Sequence, residues 1–133
     1  MFTPLRFDSG KIGLRPVAST QTIAKGDALV WSSGYVAVAA NTTEDVYAIA
    51  LEDSTSATAG TEILVLPVEG VYFEADCDDV VSIADRGTRC DLATKATVNP
   101  DATSEQVFLI EEIVGAAEVS KTVRGRFSRF TAT

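Results

Sequence analysis

The chain has 133 residues, of which 46% are apolar, and carries a formal net charge of −8 with no histidine. This length and composition predict one soluble globular domain, and the lack of histidine excludes Ser-His-Asp and Cys-His catalytic arrangements. The sequence has no signal-like start, no continuous run of about 18 apolar residues and no glycine-rich phosphate motif. We therefore expect a protein made in the cytoplasm that is not an enzyme and that uses no membrane, cofactor or small-molecule substrate.

Residues 1–20 are predicted to form an extended N-terminal arm. Pro4 and Pro16 lack backbone N–H groups, and Gly10 and Gly13 loosen the chain, so a helix is disfavoured here. The apolar side chains of the arm must dock either on the domain's own barrel or on a partner by strand addition. The residues expected to make the contact are Phe2, Leu5, Arg6, Phe7, Lys11 and Arg15.

Residues 21–133 are predicted to form a single, mainly β domain of short antiparallel strands with little helix. In its first half the strand candidates are residues 28–31, 35–38, 46–51 and 63–68, which are rich in β-branched and aromatic residues and separated by small polar turns. Ser32-Ser33-Gly34 joins the first two and is a hairpin signal. Four such strands can curl into a small β-barrel, which leaves edges to cover.

The second half resembles a copy of the first, with residues 82–127 following the plan of residues 22–70. Its matching segments are residues 83–92, 95–98, 107–110 and 121–125. This is either an internal duplication or a chance match between short β patterns, and two copies are too few for a solenoid or propeller. Residues 104–117 favour a strand over a helix because of their residue types, and residues 76–84 are predicted to be a loop or one helical turn.

The remaining candidates for chemistry are few. Cys77 and Cys90 have no CxxC pairing, so we expect no zinc site and interpret both as small, partly buried residues, with a bond between them as the alternative. Residues 76–79 are an acidic turn rather than a calcium loop, because the following residues break that pattern. Glu111 and Glu112 are adjacent, which on a regular strand directs them to opposite faces. We therefore expect neither a metal nor a catalytic residue.

Charge is unevenly distributed along the chain. No Lys or Arg occurs from residue 44 to residue 85, whereas four basic residues and no acid follow Glu118. Basic ends on an acidic body fit contacts with an acidic partner or a neighbouring subunit, or else charge that is simply solvated. Nucleic acid is not expected, because the body would repel phosphates. The four basic residues are secondary interface candidates: Lys121, Arg124, Arg126 and Arg129.

A pattern of glycines and strands then points to a family. Residues 24–30 (AKGDALV), the hairpin Gly34-Tyr35-Val36, residues 47–53 (YAIALED), Gly60 with residues 63–66, and Gly70-Val71 together resemble the capsid decoration (cement) proteins of tailed bacteriophages. The resemblance implies a β-tulip-like or small-barrel fold and a homotrimer on the outer surface of the virion capsid. It also implies that the protein stabilises the head by bridging subunits of the major capsid protein and that its N-terminal arm grips the shell. Because of the Pro, Gly and basic residues of the arm, we expect it to order only against the shell or an adjacent protomer.

Two other functional classes stay open. One is a carbohydrate- or receptor-binding β module of a phage fibre or bacterial surface protein, which an exposed aromatic platform at Trp31, Tyr47 or Tyr72 would favour. The other is a carboxylate-based hydrolase, whose first support would be two carboxyl groups converging in a cleft.

Overall fold

The computed structural model describes residues 1–132, and its fold is mainly β, which confirms the predicted fold class. The strands are β1 (Phe2–Arg6), β2 (Gly13–Pro16), β3 (Gln21–Ile23), β4 (Ala28–Ser32), β5 (Tyr35–Val38), β6 (Ala48–Ala50), β7 (Ser54–Ser56), β8 (Glu62–Pro67), β9 (Tyr72–Cys77), β10 (Arg89–Thr94), β11 (Thr97–Asn99), β12 (Phe108–Ile113) and β13 (Thr122–Phe127). Helix in this part of the chain is confined to two 3₁₀ turns, Ser9–Lys11 and Ile83–Asp85. Among residues 1–132 no helix has the length and apolarity needed to cross a membrane.

The first barrel is a five-stranded sheet in the order β2-β8-β6-β4-β5. Its outer strands come together where Val17 bridges Val36 in parallel, so the sheet curls into a ring. The β4–β5 hairpin turns through Ser33 and Gly34, whose φ angles of 51° and 86° are the positive pair that a type I′ turn requires. The buried interior consists of Val17, Ile23, Leu29, Val36, Tyr47, Ala48, Ala50, Ile63 and Val65. A short ribbon of β3 and β7 lies beside this barrel.

The second barrel is closed. Its strands run β9-β11-β10-β12-β13, and β13 pairs back with β9. Closure satisfies the backbone groups that an open sheet would expose at its edges. Gly125 permits the close approach of β13 to β12, because a Cβ at this position would collide with the backbone carbonyl of Leu109. Alternate residues of β9 point inward, as its burial pattern shows for Phe73, Ala75 and Cys77.

The two barrels share one strand order. Counted along the chain, the strands of each ring follow the order first, third, second, fourth, fifth. In both rings the first and third strands are parallel and every other neighbouring pair is antiparallel. This shared order is a structural repeat, while the origin of the two halves by duplication stays a prediction.

The N-terminal segment is where the structure corrects the sequence analysis. Residues 1–20 do not stand apart from the β domain: β1 pairs with β9 of the second barrel, and β2 pairs with β8 of the first. Of the two docking modes considered for this segment, the structure has the one on the domain's own body. The arm therefore orders against its own chain, without a shell or a neighbouring protomer.

The second half follows its predictions more closely. Residues 104–117 contain β12 and no helix, and residues 76–84 run from the end of β9 into the 3₁₀ turn at Ile83–Asp85. Cys77 and Cys90 are both buried and free. Strand β9 itself was not predicted, nor were β3 and β7.

Candidate interaction surface

Phe2, the first of the predicted attachment residues, is not accessible to a partner. It is 0% exposed and belongs to the main hydrophobic core. Its ring centroid lies 5.1 Å from that of Phe127, 5.9 Å from that of Phe108 and 6.5 Å from that of Phe73. Tilted and edge-on aromatic pairs at these separations are stabilising. Phe2 therefore completes the interior of the second barrel.

The end of β1 and the turn after it remain accessible. Leu5 is 40% and Phe7 44% exposed, and Arg6 between them is also exposed, with its guanidinium carbon 5.4 Å from the centre of the Tyr72 ring. Lys11 and Arg15, in contrast, are half-buried and bonded inside the chain. Lys11 Nζ donates to the Glu69 carbonyl at 2.6 Å, and Arg15 Nε donates to the Tyr47 hydroxyl at 2.9 Å. The structure thus leaves Leu5, Arg6 and Phe7 of the six predicted residues open to a partner.

Strand addition to the outer edge of β1 is hindered. The Phe2 N–H points away from β9 and donates to the Gly26 carbonyl at 3.0 Å. Because backbone groups alternate along a strand, Pro4 stands at the next outward donor position and has no N–H to offer. A partner is therefore expected to meet side chains of this segment rather than to extend its sheet.

Three of the four predicted C-terminal cations are paired within the chain. Arg126 Nη2 lies 2.9 Å from Glu111 Oε1, and Arg124 Nε lies 3.8 Å from Glu74 Oε1, an ionic contact too long for a hydrogen bond. Arg129 contacts Glu44 at 3.6 Å and Asp45 at 3.8 Å. Within residues 1–132, Lys121 is exposed and its ammonium has no partner. Most of the basic residues near the C-terminus are thus paired with acidic residues of the same chain.

A cleft of about 340 Å³ lies beside these residues, lined by Arg6, Gly70, Val71, Tyr72, Glu111, Glu112 and Arg126. The register of β12 with β13 shifts between Ile110 and Glu112, and this bulge brings the two adjacent glutamates to one cleft, so the prediction of opposite faces is wrong. Burial raises the pKa of the Tyr72 phenol above its usual value, and its 3.0 Å hydrogen bond to Glu112 adds to the rise. Two carboxyl groups thus converge in this cleft, where Glu111 is ion-paired with Arg126 and Glu112 accepts a hydrogen bond from Tyr72.

Within residues 1–132, Trp31, Tyr47 and Tyr72 do not form one exposed platform. Trp31 is 39% exposed, and its ring centroid lies 4.7 Å from that of Tyr47, which belongs to the buried interior of the first barrel. Tyr72 is half-buried beneath Arg6. Of the three predicted aromatic residues, Trp31 is therefore the exposed one, and Tyr35 on the same hairpin is 37% exposed.

A feature that sequence reasoning missed lies at one end of the second barrel. Val80, Ile83 and Val119, here called the apolar tip, are 36%, 56% and 73% exposed. They come from the β9–β10 and β12–β13 loops, which are held together by hydrogen bonds from Glu118 N to Val81 O at 2.7 Å and from Val81 N to Ser120 O at 3.0 Å. The signal in the sequence was a β-branched residue, Val119, among turn-forming and polar neighbours.

Comparison with known proteins gives one informative likeness. No protein-family model matches the sequence, and a comparison with curated proteins finds no match. Among solved structures, the chain is similar to the crystal structure of the head fiber gp8.5 N base in bacteriophage phi29. The TM-score is 0.57 at 16% sequence identity, over 92% of this chain and 98% of that chain. At this identity the likeness shows the fold alone, over nearly the whole length of both chains.

Proposed function

We propose that the chain is a structural protein of a bacteriophage virion that sits on the outer surface of the capsid. The observation that carries the proposal is the likeness over nearly the whole of both chains to the base of a phage head fibre. The glycine and strand pattern that resembles capsid decoration proteins points to the same location on separate grounds. The finer proposal is that the protein binds and bridges subunits of the major capsid protein and so stabilises the head.

The proposed attachment segment is Leu5, Arg6 and Phe7. Because β1 is already paired with β9, binding through this segment requires little ordering of the backbone. Covering the exposed parts of Leu5 and Phe7 would contribute about 1 kcal/mol each. This is weak for a single copy, so firm attachment would depend on several copies binding together.

The homotrimer remains part of the proposal, but its support changes. Open strand edges that need neighbouring subunits would favour a trimer. Because the second barrel is closed, its strands leave no such edge, and this argument for a trimer becomes weaker. What now supports a trimer is the weakness of one attachment segment, because linked copies raise the effective concentration of the others.

Sedimentation with native particles tests the proposal. The protein should co-sediment with virions of the phage that encodes it, and gold-labelled antibody should mark the capsid rather than the tail. A Leu5→Asp/Phe7→Asp variant should lose most of this binding, whereas Leu14→Asp, which alters a 52% exposed leucine on the first barrel, should keep it. Failure of the unaltered protein to bind capsids would contradict the capsid role. Full binding by the double variant would exclude only residues 5–7 as the attachment segment.

A second candidate is a receptor- or carbohydrate-binding module of a fibre. Two observations favour it: the Trp31 ring is exposed, and the similar solved structure is itself the base of a head fibre. A glycan array should then give binding that is lost in Trp31→Ala. Retention on capsids without any glycan binding would favour the structural role.

A further inference from the structure

The apolar tip is unusual for a solvent-facing loop. Val119 is the most exposed large apolar side chain among residues 1–132, and Ile83 is the next. Single exposed apolar residues are common, but several carried by two hydrogen-bonded loops are typical of a contact surface. Val80 extends the same cluster from the start of the β9–β10 loop.

The loops that carry the tip are already fixed in place. Ser120 Oγ donates to the Val114 carbonyl and accepts from Thr122 N at 3.1 Å, while Ser120 N donates to Ala116 O at 2.9 Å. In the neighbouring loop, Ser82 N and Ser82 Oγ both donate to Asp85 Oδ2, at 2.8 Å and 3.2 Å. An exposed side chain on an ordered loop loses little conformational entropy when it is covered.

Charged residues of both signs lie near the tip in the sequence. Asp79 and Asp85 accept hydrogen bonds within their own loop. Four other charged residues are Glu118, directly before Val119, Lys121, two residues after it, Asp78, two residues before Val80, and Arg86, three residues after Ile83. Within residues 1–132, none of these four side chains is hydrogen-bonded or ion-paired. An unpaired acid and an unpaired base on either side of an exposed apolar residue can pair with those of a second copy, with Glu118 of one copy meeting Lys121 of the next.

We propose that the apolar tip is the contact between copies of this chain, with Val119 at the centre and Glu118–Lys121 pairs between neighbouring copies. This rests on the proposed function, of which it names the self-association surface. Each copy gives an acid to one neighbour and a base to the other, which is the head-to-tail contact that closes a ring.

Charge reversal tests the contact directly. Light scattering and sedimentation velocity should show an oligomer for the unaltered protein. Glu118→Lys alone and Lys121→Glu alone should each weaken association at least tenfold, because each places like charges opposite one another. The double exchange Glu118→Lys/Lys121→Glu should restore it. A mixture of the two single variants should restore it only in part, because a ring of three then has two complementary contacts and one between like charges.

Val119→Asp should also dissociate the oligomer, with Leu14→Asp as the matched control on the first barrel. Both positions are exposed, so circular dichroism and melting should show that both variants remain folded. A monomer at all concentrations, or single reversals without effect, would overturn the inference, as would dissociation by Leu14→Asp in place of Val119→Asp. Capsid co-sedimentation separates the two proposals. An unaltered protein that is monomeric but binds capsids would refute the tip contact alone. An unaltered protein that is oligomeric but never binds capsids would refute the capsid role alone.

Discussion

Gly125 lies directly against the backbone of the neighbouring strand. A Cβ at this position would collide with the Leu109 carbonyl on the neighbouring strand, and neither backbone can move without breaking the barrel's pairing. Gly125→Ala should lower the free energy of unfolding by roughly 2–4 kcal/mol, measured by urea denaturation. Gly13→Ala is the matched control in a strand, because the atoms nearest to its Cβ belong to the flexible end of Arg15. Equal losses for the two variants would contradict the steric argument.

The two buried thiols predict a pH dependence. Burial raises the pKa of both Cys77 and Cys90 to about 12. An unfolded thiol titrates at about 8.5, so above pH 9 the unfolded state binds fewer protons than the folded state. The stability is therefore complete below pH 8 and should fall by about 1.4 kcal/mol per thiol for each pH unit above 9.

Denaturation at pH 8, 9, 10 and 11 would measure this slope, and Cys77→Ala/Cys90→Ala should flatten it relative to the unaltered protein. The same burial predicts that iodoacetamide leaves both thiols unmodified in the folded protein at pH 8. Rapid alkylation without denaturant would show that the thiols are accessible.

At the scale of single elements, β1 is part of the body rather than an appendage. Phe2→Ala should cost about 3–5 kcal/mol, because it empties a site among three other phenylalanines. Phe7→Ala is the control and should cost less than about 0.5 kcal/mol. Deletion of residues 2–15 removes β1 and most of β2 and should unfold the protein, as judged by circular dichroism. A folded deletion variant would show that the segment is a separable arm after all.

Local sequence signals predicted some elements well and others not at all. The β4–β5 hairpin follows from Gly34 and the strand-forming residues around it, and β12 follows from its β-branched and aromatic run. The sequence analysis did not predict β9, because Glu74 and Asp76 occupy outward positions of the strand and residues 76–79 resemble an acidic turn. The pairing of β1 with β9 joins segments about 70 residues apart, and no local pattern encodes such a partner.

The candidate surface was less predictable still. Phe2 and Phe7 are chemically alike in the sequence, and only the assembled barrel decides that one is buried and the other exposed. The exposure of Val119 likewise depends on how two distant loops meet. The bulge in β12 that unites Glu111 and Glu112 is a one-residue shift in pairing, which residue types do not reveal.

On the scale of the whole molecule, the two barrels are joined by a shared core. Ala28, Ile49 and Leu66 of the first barrel belong to the same buried cluster as Phe73 and the other phenylalanines of the second. Apolar contact of this kind couples the unfolding of the two units. Differential scanning calorimetry should therefore show one transition whose calorimetric and van't Hoff enthalpies agree. Two separated transitions would mean that the barrels unfold independently.

An ionic contact reinforces this junction. Lys95 Nζ lies 3.0 Å from the buried carboxylate of Asp27 and also donates to the Thr22 carbonyl at 2.9 Å. Lys95→Met leaves the Asp27 charge buried without its cation and should cost about 1–3 kcal/mol, at the lower end because Lys95 is partly exposed. Adding Asp27→Asn removes that uncompensated charge and should recover part of the lost free energy of unfolding. Lys25→Met is the control at a nearby exposed lysine and should change stability little. Urea denaturation of these variants and of the unaltered protein measures these differences. A double variant no more stable than Lys95→Met would show that the loss does not come from an uncompensated charge on Asp27.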